Sequence, residues 1–500
     1  MPIRLSGLAS GLDTESIVAE LMSAQRLRAT KIENKKTKME WKQDQWKEMN
    51  KKLYSFYTGT LSKMKMQGTF STKMATSSDT SKVSVTAANS AVEGTHNIKV
   101  NSLASAQFVT GSQLGSTVNG STTLSSLGMG AGDVTFTNGS KTSTIKITDT
   151  TTINEFVAKL KEGGINASFD ATQKRIFMSS KTSGSDGAFS LSAATGVDLS
   201  KIGLSSFGAG DSDGTVALAG GGKMTFLSAK NASFEYNGAA MTSSTNSVTA
   251  NGLTFNLLGA TGAGGINISV TGNTKAVYDS VKSFVKEYNE LITEMNELYY
   301  AGSAKGYEPL TDEEKEAMTE EQIEKWESKI KDSLLRRDNT LGTLVSTMRS
   351  SLSRSVTYEG KGYSLSTFGI KTGNYTEKGL LHIDGDEEDS DVAALENKLM
   401  KALEEDPKAV AETLNTLAGE LYTSFSDSMK SNSLRSALTL YNDKEIKKQI
   451  DDYESDLKKL ERKLTDIENR YYKQFSAMEK AMSNMNSQSN YLASMLGTNG

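Results

Sequence analysis

Near the C-terminus, apolar residues recur at alternating steps of three and four: Ile446, Ile450, Tyr453, Leu457, Leu460, Leu464, Ile467, Tyr471, then Met478, Met482 and Met485. That spacing lays all of them on one stripe of a helix, in the manner of a coiled-coil seam. A helix spanning 446 to 485 is roughly 60 Å long at 1.5 Å rise per residue, about twice the width of a small domain. Most of such a stripe has no globule of its own to enter. It needs the other terminus, another copy of the chain, or both. Near the N-terminus Met39, Trp46, Met49, Leu53 and Phe56 step in the same way. Long seams at both ends speak of assembly rather than catalysis.

Between these ends the chain changes character. From Lys82 to Asn273 it is dominated by Gly, Ser, Thr and Asn, with short runs of β-favouring residues: Val83–Val85, Ile98–Val100, Val134–Phe136, Ile145–Ile147, Ile176–Met178, Phe234–Tyr236, Leu253–Phe255 and Ile266–Val270. Asn138-Gly139, Asn237-Gly238 and Asn251-Gly252 are turn signals between them. One helix interrupts the series: Thr152 or Asn154 is placed to cap Glu155–Leu160, which stops at Gly163-Gly164. The chain must return to the helical region it left, so the spacing predicts one small β-rich domain inserted in another.

Outside the insert the helical signals are local. Asp13 is a good N-cap for a short helix to about Arg28, with Ile17, Val18, Leu21 and Met22 as its apolar face; a second helical stretch runs from about Lys31 to Lys65. The segment Leu5 to Leu12, with its two glycines and with Leu8 between them, is expected to lack structure until something binds it. After Ala276 the helical period returns through Val277, Val281, Phe284, Tyr288, Leu291 and Met295. Thr311/Glu314 and Thr319/Gln322 read as capping boxes, the second opening a helix with Ile323, Trp326, Ile330 and Leu334 inward. A hairpin-like patch follows around Tyr363 to Ile383. Asp406 and Pro407 open a further helix as N-cap and first residue. The fold class is therefore α+β and multidomain: a discontinuous helical coiled-coil terminal leg (1–42 with 446–500) and a helical-rich domain (43–78 with 275–445). Into the middle are set two nested β-rich head domains, 79–106 with 225–274 and, inside it, 107–224.

The 500 residues allow three or four such domains. Charges of both signs nearly cancel to a net −4, which asks for neither nucleic acid nor an anionic membrane. Cysteine is absent, which removes disulfides, thiolate metal sites and cysteine nucleophiles. It fits an ordinary cytosolic protein, and equally one that works outside the cell and travels there unfolded. Met1 to Gly7 does not read as a secretory signal peptide, and there is no run of 18 apolar residues.

Catalytic and metal signatures are not convincing. His96 and His382 lie far apart in strand-like runs, where a histidine is more often satisfied structurally than a ligand. In the acidic run Asp384–Asp391, the positions that an EF-hand reserves for Gly and Glu hold Asp389 and Leu395; a solvated turn before a helix N-terminus is the better reading. Gly128-Met-Gly130-Ala-Gly132 leads to a strand and lacks the third glycine of a dinucleotide loop. The basic stretch Lys31–Lys52, with Trp41 and Trp46, is interleaved with acids and apolar steps, so a charged helix flank outweighs a nucleic-acid site. No cofactor and no enzyme activity is expected.

Several segments together resemble the flagellar hook-associated protein 2 (filament cap) family. They are Leu5–Val18; Leu464–Met478 with Asn486-Ser-Gln488; Ala91–Val100; Phe284–Ile292; and Pro309–Met318. Thr152–Ser180 is similar to a small inserted repeat shared with flagellins. His96 stands where relatives often carry an aromatic. The resemblance implies a non-enzymatic extracellular protein at the flagellar tip, exported unfolded through the flagellar type III channel. It implies a ring-like homo-oligomer whose legs reach into the filament end, retaining flagellin and promoting its folding and insertion. Implied partners are flagellin, the hook–filament junction proteins and a cytoplasmic export chaperone at the C-terminal helix, with no nucleic acid and no membrane. The residues expected to dock and oligomerise are Leu5, Leu8, Leu12, Ile17, Leu21, Leu457, Leu460, Leu464, Ile467, Tyr471, Phe475, Met478 and Met482. A competing expectation is a surface adhesin or ligand-binding module on the β domains, merely multimerised by the helices.

Overall fold

The computed structural model describes residues 13–497. The chain forms two compact units, one from residues 1–70 with 274–500 and the other from 71–273.

The first unit is helical. Asp13 caps Thr14–Phe56, its carboxylate accepting from the Ser16 amide. This helix is continuous across Arg28–Lys31, where the sequence reading placed a break. Neither Gly nor Pro occurs there, and nothing local stops the hydrogen-bond ladder. It passes through a π-helical turn, Tyr57–Leu61, before a last α-turn at Ser62–Met64. Trp46, Met49, Leu53 and Phe56 are buried in a core shared with Thr274–Tyr299 (through Val281, Phe284, Tyr288 and Ile292), Asn339–Leu352 and Pro407–Ser428. Phe56 stacks on Phe284, and Trp46 lies parallel to Tyr441 at 5.4 Å between centroids.

The helix starts follow their caps. Thr311 and Thr319 form reciprocal capping boxes with Glu314 and Gln322, and Asp406 accepts from the Ala409 amide with Pro407 in the first turn. The helix opened by Thr319 ends at Asp332, however. Leu334 thus falls beyond it and is half-buried, while Leu335 is the core residue. The expected hairpin patch is two hairpins, Val356–Tyr358 with Lys361–Tyr363 and Ile370–Thr372 with Leu381–Ile383.

The second unit has two hydrophobic cores. The outer is covered by a five-stranded antiparallel sheet in the spatial order Lys73–Ser77, Ile266–Gly272, Gly94–Ser102, Ala232–Tyr236, Ala239–Ser243, and by the three strands Ser247–Ala250, Leu253–Leu257 and Val83–Ala87. After Ser102 the chain leaves this sheet and returns at Ala232; the inner core lies on that excursion. It is built from a five-stranded sheet ordered Gly214–Ala217, Lys223–Leu227, Phe108–Thr110, Arg175–Ser179, Asn166–Asp170, a three-stranded sheet, and the helix Ile153–Glu162. Asn237-Gly238 and Asn251-Gly252 each turn a two-residue hairpin with φ positive at both positions, the geometry that makes Asn-Gly favoured there.

Of the two caps considered for the insert helix, Thr152 is used: its hydroxyl accepts from Glu155 N–H and the Glu155 carboxylate accepts from Thr152 N–H. Phe156, Val157 and Leu160 are thereby aimed into the inner core. Thr152→Ala should cost about 1 kcal/mol, read as a lowered denaturant midpoint of the β-rich unit. No change would mean that tertiary packing alone holds this helix start.

Candidate docking surface

The C-terminal helix runs Asp443–Leu496, 54 residues, longer than the apolar stripe that announces it. Ile446 and Ile450 enter or abut the core of the helical unit. Beyond them the helix pairs with the N-terminal one in antiparallel fashion. Glu454 lies close enough to Lys36 for that lysine, after Lys458, to help hold its carboxyl below the ordinary range. Glu468 and Tyr472 line a cleft of about 780 Å³ with Glu15, Val18, Met22 and Arg26.

Along this helix Leu457, Leu460, Leu464, Ile467, Tyr471, Phe475, Met478 and Met482 are all half-buried. No residue of the stripe past Ile446 is fully buried. On the facing helix Thr14, Val18 and Met22, four apart, are buried. Ile17 is half-buried, while Leu21 and Leu27 are 42% and 62% exposed. From Ser483 to Met495 every side chain is exposed, including Met485, Tyr491, Leu492 and Met495. Tyr491 and Leu492 were not singled out from sequence. The signal was there in part, since Leu492 lies seven residues after Met485 and prolongs the same stripe. Leu5, Leu8 and Leu12 lie outside the described residues.

The flanks of the stripe are charged and solvated. Lys447–Asp451, Lys458–Glu454 and Lys459–Asp456 pair within the helix at 3.3, 2.8 and 3.1 Å. Exposed pairs of this kind contribute a few tenths of a kcal/mol each. They keep the helix soluble without defining a partner; the apolar face is what remains to be covered.

The other candidate groups have structural roles. His96 meets the Tyr236 hydroxyl and the Val92 carbonyl, both at 2.9 Å. The acidic run is less solvated than its sequence suggested. Asp384 and Asp386 are buried and meet Lys371 and Lys282 at 2.6 and 2.7 Å, and the following helix begins only at Lys398. His382 bridges Glu377 at 2.6 Å and Asp389 at 2.5 Å. Among the described residues no cluster of His, Cys, Asp and Glu is arranged to hold a metal ion. Nor is any of their helices long and apolar enough to cross a membrane.

Burial pulls the His382 pKa down, but the Asp389 and Glu377 carboxylates outweigh it and hold it above the ordinary value. A raised folded pKa means that this contribution to stability is complete below the ordinary pKa of 6.5 and is lost as pH rises through the folded value. His382→Gln should therefore destabilise the helical unit more at pH 6 than at pH 8.5, by denaturant titration at each pH. An equal loss at both would contradict a charged clamp.

The profile described as Flagellar hook-associated protein 2 C-terminus matches residues 229–487, and that of the N-terminus matches 10–107. The chain belongs to the flagellar hook-associated protein 2 family. A flagellar hook-associated protein 2 of Halalkalibacterium halodurans is 29% identical over 554 aligned residues, covering 97% of this chain and 98% of that relative. A flagellar hook-associated protein 2 of Thermotoga maritima is also 29% identical, over 277 residues, 54% of this chain and 39% of the relative. The fold is similar to the crystal structure of the flagellar cap protein FliD D1-D2-D3 domains from Escherichia coli. That likeness has a TM-score of 0.52 at 22% identity and covers 77% of this chain and 96% of that one.

Proposed function

We propose that this chain caps the distal end of the growing bacterial flagellar filament, holding exported flagellin at the tip and promoting its folding and insertion. Family membership supports the capping role. The observation that carries the mechanism is the helix pair whose C-terminal member presents an apolar stripe with no residue past Ile446 fully buried, ending in exposed Met485, Tyr491, Leu492 and Met495. At about 25 cal/mol per Å² such surface gains by entering an apolar seam, with no chemistry required. The proposed docking and oligomerisation residues are Leu457, Leu460, Leu464, Ile467, Tyr471, Phe475, Met478 and Met482, with Ile17 and Leu21 and the leucines 5, 8 and 12.

In this reading residues 1–42 and 446–500 act as the leg, 43–70 with 274–445 as the helical body, and the two β-rich domains as the head; residues 71–78, expected in the helical body, instead supply the strand Lys73–Ser77 to the outer sheet. The protein travels through the flagellar export channel, assembles as a homo-oligomeric ring and contacts flagellin and the hook–filament junction proteins. An export chaperone would cover the C-terminal stripe beforehand. Deleting the gene tests the function: the strain should release monomeric flagellin into the medium and fail to swim, and complementation should restore both. Normal filaments and swimming with reduced surface attachment would instead favour an adhesin.

A further inference from the structure

The cleft of about 780 Å³ beside the N-terminal helix is lined by residues from Glu15 to Trp41 that recur every three or four positions, so they share one face of that helix. The face is roughly 39 Å long at 1.5 Å rise per residue. Its apolar lining includes Met22 and Leu27, the latter 62% exposed, with Leu310 beside them. Its charged lining is acidic: six carboxylates stand against only Arg26 and Lys315, and Lys315 is already held by Glu327 at 3.1 Å. Among the described residues Glu33, Asp312 and Glu313 of this lining have no ion pair.

The twelve residues before Asp13 match this cleft in length, charge and starting point. They carry Ile3, Leu5, Leu8 and Leu12, one cation, Arg4, and no acid. Extended at about 3.3 Å per residue they reach about 40 Å, the length of the face. Gly7 and Gly11 disfavour a helix there. The segment starts at the Glu15 end, where Asp13, with φ −77° and ψ 85°, turns the chain off the axis of the helix it caps. Laid back along the face, Leu8 falls between the levels of Met22 and Leu27, roughly 17 Å from Asp13. Arg4 comes level with Glu33, roughly 30 Å from Asp13.

We propose that residues 1–12 fold back into this cleft in the free chain, as an internal strap along the N-terminal helix. Covering the leucines removes apolar surface from water, and Arg4 meets carboxylates that no cation of the cleft satisfies. The strap competes with assembly, because Leu5, Leu8 and Leu12 cannot line the cleft and a seam between copies at once. That consequence rests on the capping reading; the contact itself does not. The same segment of a second copy is the rival occupant. The tether favours the chain's own segment, since a short link gives an effective concentration of millimolar order.

The chain has no cysteine, so an engineered pair reports the contact directly; a disulfide closes only when the two Cα atoms approach within about 7 Å. Ser6, roughly 23 Å from Asp13, comes level with Thr30, which lines the cleft. Arg28 lies at a similar level but is exposed and does not line it. In a glutathione redox buffer, with the full chain dilute and monomeric, Ser6→Cys/Thr30→Cys should form its disulfide at least about tenfold more favourably than Ser6→Cys/Arg28→Cys. Adding Arg4→Glu should reduce that advantage at low salt. Oxidised Ser6→Cys/Thr30→Cys should assemble at least about tenfold more slowly than the same protein reduced. Equal disulfide formation by the two pairs, a disulfide that joins two chains, or no effect of Arg4→Glu would overturn the strap. Equal assembly of the oxidised and reduced protein would overturn its competition with assembly. The two readings fail separately, since the disulfide is measured on the isolated chain and the capping role in the deletion strain.

Discussion

Leu460→Asp combined with Leu464→Asp is expected to abolish capping while leaving the β-rich unit folded. Both leucines are half-buried on the stripe and four residues apart, so the pair places two carboxylates on one face where an apolar seam would close. An unpaired charge carried into such a seam costs several kcal/mol even after relaxation, enough to reduce docking by about a thousandfold. In a deletion strain complemented with this variant, flagellin should leak into the medium and filaments should be short or absent. Far-ultraviolet circular dichroism should retain the β contribution. Charge reversal at Lys458 or Lys463, exposed on the flanks, should change little. Full-length filaments from the double variant would mean that the stripe is not the docking surface.

The second large effect is expected at Trp46, which is 1% exposed and stacked on Tyr441, the residue two before the C-terminal helix begins. Truncating a buried aromatic of this size costs about 3–5 kcal/mol. Here it would also release the point where the two long helices are tied to the helical core. Trp46→Ala should lower the unfolding free energy of the helical unit by that amount and leave the unfolding of the β-rich unit unchanged. Trp41, half-buried with Lys331 4.7 Å from its ring centroid, should cost about 1 kcal/mol when truncated. Equal losses at the two positions would contradict the anchoring role given to Trp46.

What could be read from the sequence was what local chemistry dictates. Thr311, Thr319 and Asp406 cap the helices their sequences assign to them, and Thr152, one of the two candidates, caps the insert helix, because the side chain and its amide partner lie within three residues. Asn237-Gly238 and Asn251-Gly252 turn hairpins for the same reason. Glu359-Gly360 makes an equivalent turn, with φ of 47° and 79°, and escaped notice because Glu rarely adopts positive φ. The edge strand Gly214–Ala217 is exposed on both faces, so no alternation marks it.

Non-local pairing was the larger gap. Nothing near Asp384 and Asp386 in sequence reveals that Lys371 and Lys282 bury them as ion pairs. The docking stripe was legible as a period, yet its period does not say how much one neighbour covers. The N-terminal helix covers part of it, and does so as a single helix through Arg28–Lys31. The partial cover, rather than the stripe alone, is what would leave a surface for the proposed assembly.

The central claim is that the C-terminal stripe is completed by assembly, and amide hydrogen exchange across residues 443–496 in the free monomer and in the assembled particle tests it most directly. In the monomer, amides should be protected near Ile446 and Ile450 and exchange progressively faster beyond Tyr472, reaching free-helix rates from Ser483 onward. Assembly should slow exchange over Leu457 to Leu492 by at least about a hundredfold, as expected when a marginal helix face gains a packed partner. Identical exchange in the two states, or full protection already present in the monomer, would contradict it.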